Sequence, residues 1–168
     1  MDRSLDSLSS ECYPKACEVI ARCAARGVAV MVVQTSRTQA EHQANLLAGT
    51  SGTSMSSHLP RKMRWRPEIL PLTDPEKSDA IDLAPYAQYQ LHGPDKLRWT
   101  TSDPVWGIIG EEIERVGLRW GGRWRTPFDP GHGELVLPWK AALRAEEVAR
   151  PWPYPMRTDV RGVEMTDP

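Results

Sequence analysis

Residues 79–85 read DAIDLAP, in which Ile81 and Leu83 alternate with Ala80 and Asp82. Strict alternation is the period of a β-strand, whose successive side chains leave on opposite faces. The strand is expected to be central, and that makes Asp82 conspicuous. A buried carboxylate is costly unless it is paired, hydrogen-bonded or bound to a metal. On the N-terminal side, VAVMVVQ (28–34) reads as a buried strand. Before it, Pro14 suits a first helical turn, and Cys17, Ile20, Cys23 and Ala24 recur at helical spacing until Gly27. After it, Ser36 or Thr38 caps a second helix, with Gln39 and Glu41 respectively at capping-box spacing, and Gly49 ends it. GTSGTSMSS (49–57) then reads as a flexible loop.

On the C-terminal side, Asp103 and Pro104 open a third helix with Val105, Ile108, Ile109, Ile113 and Val116 on its apolar face, ended by Gly117. ELVL (134–137) is a short strand, Pro138 starts a last helix, and the proline-rich tail 150–168 is expected to be extended. Residues 59–77 hold four prolines and no period, so they read as a long irregular loop. The pattern predicts an α+β domain over 1–149, with 59–77 inserted and a small sheet flanked by helices.

The 168 residues, 40% hydrophobic and 26% charged, describe a globular chain able to bury a real core. A net charge of −1 argues against a strong electrostatic hold on nucleic acid or anionic membranes, so neither is expected as a partner. The basic cluster Arg61, Lys62, Arg64 and Arg66 reads as solvated loop surface. Cys12, Cys17 and Cys23 fit no zinc-finger or disulfide spacing and read as small apolar residues. The N-terminus has no apolar h-region, so synthesis in the cytoplasm without a Sec signal is expected.

DPGHGEL (129–135) adds chemistry. Pro-Gly is turn chemistry, with glycine accepting the positive φ of a type II turn, and such a turn would bring Asp129 and His132 within about 7 Å. An ordinary surface turn, with Asp129 on backbone N–H groups, explains that as well. With His58 and Asp82 the stretch offers more. Two histidines and an aspartate fill three tetrahedral positions of a zinc ion and leave one for water, made nucleophilic near neutral pH. Asp129 would then take the water's proton and pass it to the leaving amine.

SRTQAEHQANL (36–46), SSH (56–58), SDAIDL (78–83), WGGRW (120–124) and DPGH (129–132) occur in this order. Together they resemble the M15 family of zinc peptidases, specifically the L-alanyl-D-glutamate endopeptidases of phage endolysins and their bacterial relatives. The resemblance spans roughly residues 12–137 and implies a Hedgehog/DD-peptidase-like fold. It implies one zinc on His58, Asp82 and His132, with Asp129 as catalytic base. Arg37 matches an arginine suited to gripping a carboxylate or polarising a carbonyl, and Ser56 a hydrogen-bonder beside the first ligand.

The chain departs from that pattern in four places. A proline-rich insertion separates His58 from Asp82, Ser78 stands where the family has glycine, and His42 where it has glutamine. Gly133 replaces an aromatic after the last ligand, which removes a wall of the expected groove. By its position His42 is expected to touch substrate, with solvent exposure or a stray metal bond as the alternatives. Glu134 either orients His132 or faces solvent, and His92 reads as loop surface. Trp120 and Trp124 line a groove or belong to the core.

The resemblance implies a peptidoglycan hydrolase cutting the L-Ala–D-Glu bond of stem peptides, expected to act as a monomer on the wall after release by an unidentified route. A D,D-carboxypeptidase or dipeptidase of the same fold is the runner-up. A non-catalytic wall-binding module is the other class, but a binder has no need of Asp129.

Overall fold

The computed structural model describes residues 1–51, 55–64, 73–87, 96–125, 127–137 and 140–149. Among them the order is α1 (Cys12–Ala25), β1 (Val30–Gln34), α2 (Gln39–Leu47), a helical turn α3 (Arg61–Arg64) and β2 (Ala80–Pro85). There follow α4 (Val105–Arg115), β3 (Leu118–Trp120), a 3-10 turn (Gly121–Arg123), β4 (His132–Leu135) and α5 (Ala141–Val148). The strands form one antiparallel sheet in the order β1-β2-β4-β3, so the architecture is α+β. The alternating run is an inner strand, as expected.

Register decides what each face of the sheet carries. Asp82 is paired with Gln34 on one side and His132 on the other, and Glu134 with Ala80 and Arg119. Paired residues in an antiparallel ladder project to the same face, and so do residues two apart. One face therefore presents two polar rows, Gln34–Asp82–His132 and Ala80–Glu134–Arg119. The opposite face presents Ile81, Leu83, Leu118, Trp120 and Leu135, which join α1 and α4 in the apolar core.

α4 lies as predicted. Val105, Ile108, Ile109 and Ile113 are buried, the Asp103 carboxylate accepts the Val105 N–H at 3.0 Å, and Gly117 at φ +80° stops the helix. Thr38 caps α2 in a full capping box with Glu41, which settles the choice over Ser36. α1 packs through a different stripe from the one predicted. Cys12, Ala16, Val19 and Cys23 are buried, whereas Cys17 and Ile20 are only partly covered and Ala24 is exposed. The helix starts two residues before Pro14, and the added turn places Cys12 on the core side. Burial pushes the Cys12 and Cys23 thiols up to about 12, in keeping with small apolar residues.

The apolar run 28–34 is not a buried strand. Val30–Val33 are only partly covered because β1 is the sheet edge. The C-terminal strand also differs. It begins at His132, not Glu134, so the histidine is held by the ladder and not by a loop. The start assigned to the last helix at Pro138, the tail 150–168 and His92 lie outside the described residues.

Two members of the basic cluster after His58 are internal, while Lys62 is exposed and Arg66 lies outside the described residues. Arg61 and Arg64 are 2% and 6% exposed. Arg61 Nε donates to Asp79 Oδ1 and Oδ2 at 3.0 and 3.1 Å, Arg64 donates to Asp79 Oδ2 at 2.7 Å, and the Ser9 hydroxyl donates to Asp79 Oδ1 at 2.6 Å. The described ends of the 59–77 insertion are thus pinned to the root of β2, contrary to a free-running loop. Removing one partner of a buried ion pair leaves the other charge uncompensated, at a cost of about 3–5 kcal/mol. Asp79→Asn is expected to lower the unfolding free energy by about that amount, read by urea denaturation. A loss below about 1 kcal/mol would mean that water replaces the carboxylate.

Candidate metal centre

His58, Asp82 and His132 meet at one point. His58 Nε2 is 3.0 Å from Asp82 Oδ1, His132 Nδ1 is 2.9 Å from the same oxygen, and the two nitrogens are 3.2 Å apart. Asp82 and His132 arrive from neighbouring strands in direct register. His58 arrives from the loop after α2, where its backbone carbonyl accepts the Arg37 N–H at 3.0 Å and its N–H meets Ser56 Oγ at 3.3 Å.

The outer ring nitrogens fix what the inner ones offer. His58 Nδ1 lies 3.0 Å from the Thr35 carbonyl, so that nitrogen carries the proton and Nε2 keeps its lone pair. His132 Nε2 faces Glu134 Oε2 at 3.5 Å, which leaves Nδ1 as the inward lone pair. Two ring nitrogens and a carboxylate oxygen converging at this spacing suit a shared proton or a cation between them. Ligands about 2.0–2.1 Å from a tetrahedral zinc are about 3.3 Å apart, close to the observed edges. The donor set therefore fits zinc.

A metal bound by these ligands has to displace protons that the cluster itself favours. Burial alone would lower the His132 pKa, but hydrogen bonds to Asp82 and Glu134 outweigh it and raise it to about 10. Burial would raise Asp82, yet the charge of His58 and the hydrogen bond from His132 hold it well below the usual carboxylate range. Glu134 is buried and also depressed, held by His132 and Lys140 against its own desolvation. Asp129 behaves oppositely. Burial, helped by the charge of Asp82, raises its pKa despite the opposing His132 charge.

The turn before His132 closes through His132 N–H to the Asp129 carbonyl at 3.2 Å. Gly131 has no positive φ, so the turn is not type II. Glycine is needed there for close approach, since a Cβ would meet the Leu83 carbonyl oxygen at 2.6 Å. The Gly131 N–H hydrogen-bonds the Asp129 carboxylate, as the ordinary-turn reading expects.

A cavity of about 560 Å³ opens over the triad and is lined by Asp129, Arg37, Ser56 and Trp124 among others. Arg37 Nε donates to Gln34 Oε1 at 3.1 Å, one strand away from Asp82. His42 is different. It is fully buried in α2 and absent from the cavity wall, because its helical position turns it inward. The tryptophans divide. Trp120 is core, its ring so close to Gly110 and Gly122 that a Cβ on either would sit 2.3 Å from it, and its Nε1–H donates to the Pro130 carbonyl at 2.9 Å. Trp124 faces the cavity with its ring centroid 5.0 Å from that of His132.

Gly133 corrects another expectation. It lies on the core face, where an added Cβ would meet Ile113 Cγ2 at 3.2 Å. Glycine there lets α4 pack against the sheet and removes nothing from the groove. Ser78, where the family has glycine, is buried and donates to the Thr35 carbonyl at 2.8 Å.

Sequence reasoning missed the residues around Glu134. Arg119 donates to Glu134 Oε1 at 2.7 Å and, through its other nitrogens, to Glu147 of α5 at 2.8 and 2.7 Å. Lys140 donates to Glu134 Oε1 at 2.8 Å, and the Ser57 hydroxyl donates to Oε2. The signal was present. Arg119 stands between two core residues on a strand, as Asp82 does.

Residues 77–135 match the sequence profile of an M15 peptidase family described as D-alanyl-D-alanine carboxypeptidase. The fold resembles the crystal structure of Serratia marcescens L-Ala D-Glu endopeptidase ChiX, at TM-score 0.52 and 20% identity, over 78% of this chain and 82% of that one. Over that segment the chain resembles M15 peptidases, and over most of its length it shares the fold of that endopeptidase. No curated protein matches it in sequence. The matched segment contains Asp82, Asp129 and His132, while His58 lies outside it.

Proposed function

We propose that this protein is a zinc-dependent peptidoglycan hydrolase of the M15 type that cuts the L-Ala–D-Glu bond of the stem peptide. The observation that carries the reading is the convergence of His58, Asp82 and His132 on the polar face of the sheet, beside a carboxylate of raised pKa in an open cavity. A zinc ion held by the three side chains supplies Lewis-acid activation of water and of the scissile carbonyl.

Asp129 accepts the proton of the attacking water as its oxygen bonds to the carbonyl carbon. It returns that proton to the D-glutamate nitrogen as the C–N bond breaks. Its raised pKa suits both steps, because a base poised nearer neutrality also gives its proton back. Arg37, turned to Gln34 by one edge only, keeps N–H groups for a substrate carboxylate or carbonyl. Glu134 holds the His132 ring with Nδ1 inward. The protein works as a monomer on the wall, with neither nucleic acid nor a bilayer as partner. It reaches the wall by an unidentified route. No helix among the described residues is long and apolar enough to cross a membrane.

The description of the matching profile favours one second reading, a D,D-carboxypeptidase. Mass spectrometry of purified muropeptides after incubation separates the two. The expected products are a peptide beginning with D-glutamate and muramic acid still bearing L-alanine, both abolished by chelator. Release of free D-alanine alone would establish the carboxypeptidase instead, and intact muropeptides bound without cleavage would establish a wall-binding module.

A further inference from the structure

The cavity over the triad is lined by the cations Arg37, Arg64, Arg119, Arg125 and Lys140. Most are already neutralised. Arg64 is spent on Asp79, Arg119 on Glu134 and Glu147, and Lys140 on Glu134. Arg37 meets only the uncharged amide of Gln34. Arg125 is exposed and has no acidic partner among the described residues. Among the described residues, then, two positive charges line the cavity without an acidic partner.

Their positions differ. The Arg37 backbone is tied to His58. Arg125 directly follows Trp124, whose ring packs against His132 while the Arg119 guanidinium lies 4.6 Å over it. The Trp124 ring is thus held by its neighbours, and Arg125 follows it in the wall of the cavity that Arg37 also lines. A guanidinium presents paired N–H donors that match a carboxylate, and a concave wall holding one without an acid partner is a recognition element.

We propose that Arg125 forms a second carboxylate subsite beside Trp124, so that the cavity reads a peptide bearing two carboxylates, one at Arg37 and one at Arg125. The inference rests on the peptidase reading for its substrate: the stem peptide carries the D-glutamate α-carboxylate beside the cut and a C-terminal carboxylate further along. Arg37 takes one and Arg125 the other.

The test is calorimetric binding of the tripeptide L-Ala–γ-D-Glu–L-Lys to the zinc-loaded Asp129→Asn chain, which holds it uncut. The same measurement is made with the α-amide and with the C-terminal amide. Arg125→Gln is expected to weaken binding of the diacid about tenfold, the scale of one charge-assisted hydrogen-bonded pair. That loss should vanish with one of the two amides and persist with the other, and Arg125→Lys should restore part of it. The Arg37→Gln loss should vanish with the opposite amide, because coupling energies identify which groups touch. An Arg125→Gln loss that persists with both amides, no loss at all, or no binding of the diacid would overturn the subsite. Wild-type digestion of muropeptides is read separately. Failure there with amide-sensitive binding intact would sink the endopeptidase and leave the subsite standing.

Discussion

Asp129→Asn is expected to lower turnover of muropeptides by about 10²–10⁴-fold, the usual consequence of removing a general acid–base. The substitution keeps the size of the side chain and leaves in place the backbone that closes the turn, where His132 N–H meets the Asp129 carbonyl. What it removes is the ability to take a proton. Asp129 lies in the triad cavity with its pKa raised chiefly by burial, so in the native protein it exchanges protons nearer neutrality than an ordinary carboxylate. Zinc content and circular dichroism should match wild type, with the loss confined to kcat. Near-normal turnover would mean that residues 129–132 are only a tight turn and that another group moves the proton.

The inner strand was legible because it obeys a local period, whereas the grouping of His58, Asp82 and His132 came from the family resemblance. The alternation of 80–83 announced both a strand and the side on which Asp82 would stand, and register then placed His132 beside it. The helix 105–115 followed from its spacing and from the glycine that ends it. What failed was whatever depends on neighbours far along the chain. Nothing local says that a Val-rich run is an edge strand, or that three turns of helix will bury Cys12 in place of Cys17. Arg61 and Arg64 looked like solvated charge because their carboxylate, Asp79, waits across a proline-rich insertion. Gly133 was read as a gap in the groove although its parity places it on the core face with Ile81 and Leu83. The same alternation that located Asp82 would have corrected it. His42 was assigned by motif position alone, and the helix turns it inward.

His132→Ala should abolish both metal binding and turnover. Wild-type protein is expected to carry about one zinc per chain, the stoichiometry of a mononuclear site. Each of the three side chains is aimed by a partner outside the site or by its strand: His58 by the Thr35 carbonyl, His132 by Glu134, Asp82 by its place in β2. Removing one imidazole leaves two ligands, too few for a tetrahedral site with an exchangeable position. Because His132 is buried in β4, the variant also needs a folding check, which circular dichroism and the urea midpoint supply. Glu134→Gln gives an independent arm. It spares every ligand but weakens the hold on the His132 ring, and loss of an outer partner typically costs about 10–100-fold in metal affinity. A graded loss, partial in Glu134→Gln and complete in a folded His132→Ala, is what the geometry requires. Full zinc occupancy in His132→Ala would move the metal elsewhere and take the proposed hydrolysis with it.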